Sequence, residues 1–273
     1  MVQNKLKSKN VKIIFPSLIT CFSMIVGFTS ILASAEKKFV LAGVLILVAI
    51  ILDGLDGKVA RITNTASEFG IQLDSLSDLI AFGVAPAVLF YRYFLYSRVE
   101  QNIFHLLPAM FLLCGAIRLA RFNVTASIHG KYYFTGLPIP AAAGALVVWI
   151  PLKDWMEQSG WQSLVDLAPY LAPDTMFRYA VAIIVITSLS MVSNMKFDTF
   201  NTFWFNLYPN KYVNYAVFIF FLCFLFIHFV VFMFAIMVYY MTVMYSRGSL
   251  VSLQRRWKES LKVKAKHIPD DLD

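Results

Sequence analysis

Four aspartates stand at regular intervals beside two apolar segments of this 273-residue chain. The stretch reads Asp53-Gly-Leu-Asp56-Gly57-Lys-Val-Ala60-Arg61 and resumes eight residues later as Gly70-Ile-Gln-Leu-Asp74-Ser-Leu-Ser-Asp78. Asp53 and Asp56 are three positions apart, and Asp74 and Asp78 four, so a helix carries each pair on one face. Carboxylates are costly beside lipid and rare there without a task. Hard divalent cations such as Mg²⁺ or Mn²⁺ take oxygen ligands, and Asp53, Asp56, Asp74 and Asp78 offer them from two neighbouring helices. Two such ions ~3.5–4 Å apart, sharing a carboxylate, clamp a diphosphate and stabilise a leaving phosphate. Gly57 and Ala60 are small on the face that carries Asp53 and Asp56, which leaves room for a nucleotide. Arg61 offers bidentate bonds to phosphate, and Gly70 permits close approach where the next apolar segment begins. Helix capping does not explain the set, because a cap uses one carboxylate.

The elements that hold these residues are membrane helices. Hydrophobic residues make up 59% of the chain and charged residues 15%, against ~25% charged in soluble domains. Apolar runs near ~20 residues predict spans at 14–33, 38–56, 70–96, 103–120, 137–152, 177–193, 213–227 and 229–246. That is an all-α, polytopic helix bundle of about eight transmembrane helices, with the last apolar run split near His228. A basic juxtamembrane segment, 1–13, precedes the transmembrane catalytic domain, 14–246, and a basic tail, 247–273, follows it. Most of the 24 Lys and Arg fall on one side of these spans, leaving Lys37, Lys38, Arg98, Lys153 and Arg178 on the other and Arg92 within a span. The positive-inside rule then places both termini, and the aspartates, at the cytoplasmic face. The N-terminal apolar run lacks a small-x-small cleavage site, so no removable leader is expected.

The net charge of +8 sits beside spans, which points to anionic lipid headgroups rather than nucleic acid. The tail from Ser249 places Leu250, Leu253, Trp257 and Leu261 on one helical face among basic residues, a pattern for a surface helix or a solvated tail. The loop 153–176 is expected to form a cap with one short amphipathic helix. Cys21, Cys114 and Cys223 lie in apolar runs without metal spacing. His105, His129, His228 and His267 are scattered and read as packed or interfacial.

The pattern DxxDGxxAR-x8-GxxxDxxxD resembles the signature of the CDP-alcohol phosphotransferase family. The blocks TNTASEFGIQLDSLSDLIAFGVAPAVL, CGAIRLARFNV, YFTGLPIPAAAG and MVSN look, within that family, most like the bacterial membrane-integral phosphatidylserine synthases. The resemblance implies the CDP-alcohol phosphotransferase fold in a bacterial inner membrane, with two divalent cations, Mg²⁺ or Mn²⁺. It assigns the metals to Asp53, Asp56 and Asp74, and makes Asp78 the general base and a possible fourth ligand. Asp56, Gly57, Ala60, Arg61 and Gly70 face the CDP moiety. The implied reaction is attack of the L-serine hydroxyl on CDP-diacylglycerol, giving phosphatidylserine and CMP, in a homodimer among membrane phospholipids.

Arg118, Arg121, Lys131 and Thr20 are candidates for holding substrate phosphate or serine. Two positions depart from the family's pattern: Ser17 stands where Asn is frequent, and Gln72 where Glu is common. The rival readings keep the chemistry with glycerol 3-phosphate or inositol phosphate as acceptor, or use an archaeal-type lipid donor. A cation-coupled transporter is the rival from another class. Transporters carry polar residues in both halves of the chain, whereas the later acidic residues here fall in loops and tail.

Overall fold

The computed structural model describes residues 2–62, 67–96, 102–129, 133–158, 172–198, 229–243 and 245. For 2–16, 58–62, 102–103, 125–129, 133–135 and 196–198 that description covers the backbone alone. Within these limits the chain is a helical bundle. Five helical stretches are long and apolar enough to cross a membrane: Ser17–Ala35, Phe39–Gly57, Glu68–Leu95, Leu106–Val124 and Pro173–Val192. This is an integral membrane protein. The shorter apolar helix Phe229–Val243 falls in the last expected span, while 213–227 and the split near His228 lie outside the described residues.

Helices α1 (Val2–Ala35) and α2 (Phe39–Ile62) form an antiparallel hairpin. Its turn closes the C-terminus of α1: Lys38 N–H bonds to Ala33 O at 2.9 Å and Lys37 N–H to Ser34 O at 3.2 Å. Lys37 takes the left-handed conformation that this 6→1, 5→2 pattern needs, with φ 63°. Arg92 adds a second cap, its guanidinium donating to Ala35 O at 2.8 Å. A cation at the negative end of a helix dipole is favourable, and this explains an arginine within an apolar span. Hydroxyls stitch the pair where apolar packing alone has no direction: Ser30 Oγ donates to Ala42 O at 2.8 Å and Ser23 Oγ to Ala49 O at 3.3 Å.

The third span is one helical column with two widened stretches. Helix α3 (Glu68–Asp78) passes into a π-helical turn at Leu79–Val84, continues as α4 (Ala85–Phe90) and widens again at Tyr91–Leu95. Pro86 has no N–H, and its ring would crowd the carbonyl four residues back in a regular helix. The first widened turn lies directly before it. Ser67 starts α3 as N-cap, its Oγ accepting from Gly70 N–H at 3.1 Å. Column and hairpin approach closely at Gly27, where a Cβ would stand 2.6 Å from Ala81 Cα.

A 3₁₀ turn (Asn102–His105) leads into α5 (Leu106–His129), which packs along α8 (Pro173–Val192). Between them the single expected span 137–152 is two helices, α6 (Ile139–Val147) and α7 (Trp149–Gln158). Pro151 accounts for the break, since it cannot donate to the Val147 carbonyl. α7 also supplies a helical start to the loop expected at 153–176; residues 159–171 lie outside the described set. Among the described residues the non-helical elements are two short strands: β1 (Tyr133–Thr135) pairs antiparallel with β2 (Lys196–Asp198). Gly136 follows β1 at φ +83°, and a Cβ there would run into the Met191 carbonyl oxygen, so the turn requires glycine. Helix Phe229–Val243 closes on α6 and α7, with the Trp149 and Phe234 rings 4.9 Å apart and Met237 filling the space beside Gly144.

Candidate active site

The last turns of α2 and the length of α3 bring the aspartates together. Carboxylate oxygens of Asp53, Asp56 and Asp74 all lie within 4.8 Å of one another. Asp78 stands one turn deeper on α3, within interacting reach of Asp53. It is only 8% exposed, and its Oδ1 is buried with no hydrogen-bond partner among the described residues. The arrangement is therefore three converging carboxylates with a fourth behind them. Neighbouring helices fix the cluster. Thr20 Oγ1 of α1 donates to Asp56 Oδ2 at 2.8 Å, and Ser77 Oγ donates to Thr20 O at 3.1 Å, tying α1, α2 and α3 at one level.

Arg118 on α5, 6% exposed, faces the cluster within electrostatic reach of Asp78, Asp53 and Asp74. One guanidinium balances one of four carboxylates, and leaving the others unpaired in a low-dielectric site costs several kcal/mol each. Converging oxygen donors of this charge and spacing fit hard divalent cations, as does the orphaned oxygen of Asp78. Tyr240, 5% exposed on helix Phe229–Val243, comes within electrostatic reach of Arg118 from the far end of the chain. It lies in an unbroken apolar run and carries no sequence signal.

The other candidates separate. Gly57 continues α2 next to Asp56, and Gly70 sits in the first turn of α3. Ala60 and Arg61 lie in the last turn of α2, where the backbone alone is described, and Lys131 lies outside the described residues. Arg121, a candidate for substrate phosphate or serine, meets the end of α8. Its guanidinium donates to Met191 O at 3.2 Å, Val192 O at 3.0 Å and Ser193 O at 3.1 Å, with a further bond to Asn194 Oδ1 at 3.4 Å. It caps α8, where unpaired carbonyls and the negative dipole end attract a cation. Gln72 and Asn123 meet across α3 and α5: Asn123 Nδ2 approaches Gln72 Oε1 at 3.5 Å, and Ser75 Oγ donates to Asn123 Oδ1 at 3.0 Å. Gln72 thus joins a neutral bridge between the two helices that carry Asp78 and Arg118.

Helices bearing converging aspartates suit phosphoryl transfer at a membrane, and residues 13–172 match the model of the CDP-alcohol phosphatidyltransferase family. The chain belongs to the CDP-alcohol phosphatidyltransferase family. It is 39% identical over 196 residues to a CDP-diacylglycerol–serine O-phosphatidyltransferase of Helicobacter pylori, covering 71% of this chain and 76% of that protein. A protein of the same description from Methanocaldococcus jannaschii is 45% identical over 129 residues, 47% of this chain and 56% of its own. An archaetidylserine synthase of Methanothermobacter thermautotrophicus is 44% identical over 134 residues, 48% of this chain and 55% of its own.

Proposed function

We propose that this chain transfers the phosphatidyl group of CDP-diacylglycerol to the hydroxyl of L-serine, giving phosphatidylserine and CMP. The observation that carries the reading is the convergence of Asp53, Asp56 and Asp74 with Asp78 behind them, in a chain similar to enzymes described as serine transferases. Those relatives differ in the lipid named but share serine in their descriptions, which favours serine over glycerol 3-phosphate or inositol phosphate.

Asp53, Asp56 and Asp74 would hold two divalent cations, Mg²⁺ or Mn²⁺, with Asp78 in reach of the same site. Bound there, the ions would supply positive charge to offset that of the diphosphate and of the leaving CMP. Asp78 takes the serine hydroxyl proton as that oxygen bonds to the β-phosphorus and the bond to the CMP oxygen breaks. A neutral hydroxyl is a weak nucleophile near pH 7, so a carboxylate base at the attacking oxygen is required. Arg118 holds an anionic group of donor or acceptor against the cluster. Thr20 orients Asp56, and Gly57, Ala60, Arg61 and Gly70 border the nucleotide. The lipid donor enters sideways from the cytoplasmic leaflet of a bacterial inner membrane, while serine and CMP exchange with the cytoplasm. Both termini face that side, and the working unit is a homodimer.

The test is CMP release by the purified protein in detergent, with CDP-diacylglycerol and with serine, glycerol 3-phosphate or inositol phosphate as acceptor. Release that needs serine, stops with chelator and returns with Mg²⁺ or Mn²⁺ is the expected result. Release with another acceptor alone overturns the serine assignment. No release from folded protein overturns the transferase reading and revives transport.

A further inference from the structure

The end of α2 remote from the aspartates borders a cavity of about 670 Å³, within the ~300–1,000 Å³ typical of ligand sites. Phe39 begins α2 at this end, and Asp56 lies seventeen positions further along it. At 1.5 Å per residue the separation is roughly 25 Å, close to a hydrocarbon thickness. The cavity therefore opens at the opposite membrane face from the carboxylate cluster. It lies between the α1–α2 turn, the widened Tyr91–Leu95 stretch and α7. Gly43 makes room for the last of these, since a Cβ there would stand 3.0 Å from Pro151 Cδ.

The lining has two chemistries. Its rim holds Lys37, Lys38 and Lys153 together with Asp154 and Glu157. Part of this charge is already engaged: Lys38 pairs with Glu36 at 2.7 Å and Lys153 with Glu157 at 3.5 Å, and Asp154 Oδ2 accepts from Gln158 Nε2 at 2.7 Å, which leaves Asp154 Oδ1 for a ligand. Its wall is Phe39, Leu41, Val44 and Ile150, and Leu41 is 48% exposed on the outer surface of α2. The Tyr93 ring, edge-on to Phe39 at 5.2 Å, also borders it, and tyrosines favour the headgroup level of a bilayer.

We propose that this cavity binds the headgroup of a zwitterionic phospholipid bearing a primary ammonium, drawn from the leaflet opposite the carboxylate cluster. The lysines receive its phosphate. Asp154 and Glu157 accept the ammonium N–H bonds. An acyl chain follows the apolar wall out past Leu41 into the membrane. A purely anionic lipid would set its charge against the two carboxylates, and a choline headgroup has no N–H to donate. The inference stands on the cavity and not on the transferase reading.

The experiment is native mass spectrometry of the full chain, released from micelles holding equal phosphatidylethanolamine, phosphatidylglycerol and phosphatidylcholine. The parent should retain phosphatidylethanolamine over each of the others by about tenfold, a 1.4 kcal/mol preference. Asp154→Asn with Glu157→Gln should erase that preference over phosphatidylcholine. Lys37→Gln with Lys153→Gln should lower retention of every phospholipid. Melting temperatures taken alongside identify a variant that has lost its fold. Equal retention of the three lipids by the parent overturns the proposal without any variant, as does an unchanged preference in a folded Asp154/Glu157 variant.

Discussion

Arg118 and Arg121 lie one turn apart on α5, and the regions they enter are opposite in kind. Arg118 meets buried carboxylates across the bundle, and Arg121 meets backbone carbonyls at the end of α8. The first region gathers more negative charge than its own cation balances, which is the condition for binding further cations. The second is a completed cap, where one guanidinium spreads over carbonyls that the helix leaves unpaired. Side-chain type is identical in the two places. What differs is the element packed opposite, and that decides whether an arginine faces carboxylates or helix-end carbonyls.

Asp78 is where the largest effect is expected. Asp78→Asn keeps the volume and removes the proposed base, so CMP release should fall by about 10²–10⁴-fold, the range of general base catalysis, with an unchanged melting temperature. Substantial turnover in that variant would take Asp78 out of the base role. Arg118→Gln should lower kcat/KM about 10²-fold through loss of a buried charge contact worth ~2–5 kcal/mol, measured as CMP release across donor and serine concentrations. Thr20→Val removes the hydroxyl that orients Asp56, so the half-saturating Mn²⁺ should rise about tenfold, as for other outer-shell changes. A metal titration of activity reads it. Arg121→Gln should leave kcat within a few-fold while lowering thermal stability by ~1–2 kcal/mol, the worth of charged hydrogen bonds to carbonyls that are only part-buried or exposed. A melting curve in detergent checks this. If Arg121→Gln instead abolished turnover in a protein of normal stability, the division between the two arginines would fail.

Much of the site was legible from the chain. Two aspartate pairs at helical spacing in apolar runs predict two carboxylate-bearing helices, and the structure supplies them as α2 and α3. Gly70 marks the start of α3 as the pattern suggests, while the N-cap, Ser67, emerges only from the structure. Less was legible where side chains answer to partners distant in sequence. The role of Arg92 depends on the end of α1 lying beside it. Tyr240 reaches Arg118 only because Phe229–Val243 folds back on the bundle. The break at Val148 was present in Pro151 but hidden by the continuous apolar run around it. The β1–β2 pair was invisible, because three-residue strands carry too few residues for a period.

That the chain lives in a membrane, that its spans are helices and that its aspartates share helical faces can be read from the amino acids alone. These follow from local rules: apolar length against bilayer thickness, backbone groups that lipid cannot satisfy, and the 3.6-residue turn. Tertiary structure alone decided that Asp53, Asp56 and Asp74 converge within 4.8 Å while Asp78 sits behind, and that Arg118 turns inward as Arg121 caps a neighbour. Convergence depends on how closely separate helices approach, and that is set by contacts such as Gly27 against Ala81 and Thr20 against Asp56, which no periodicity within one helix encodes.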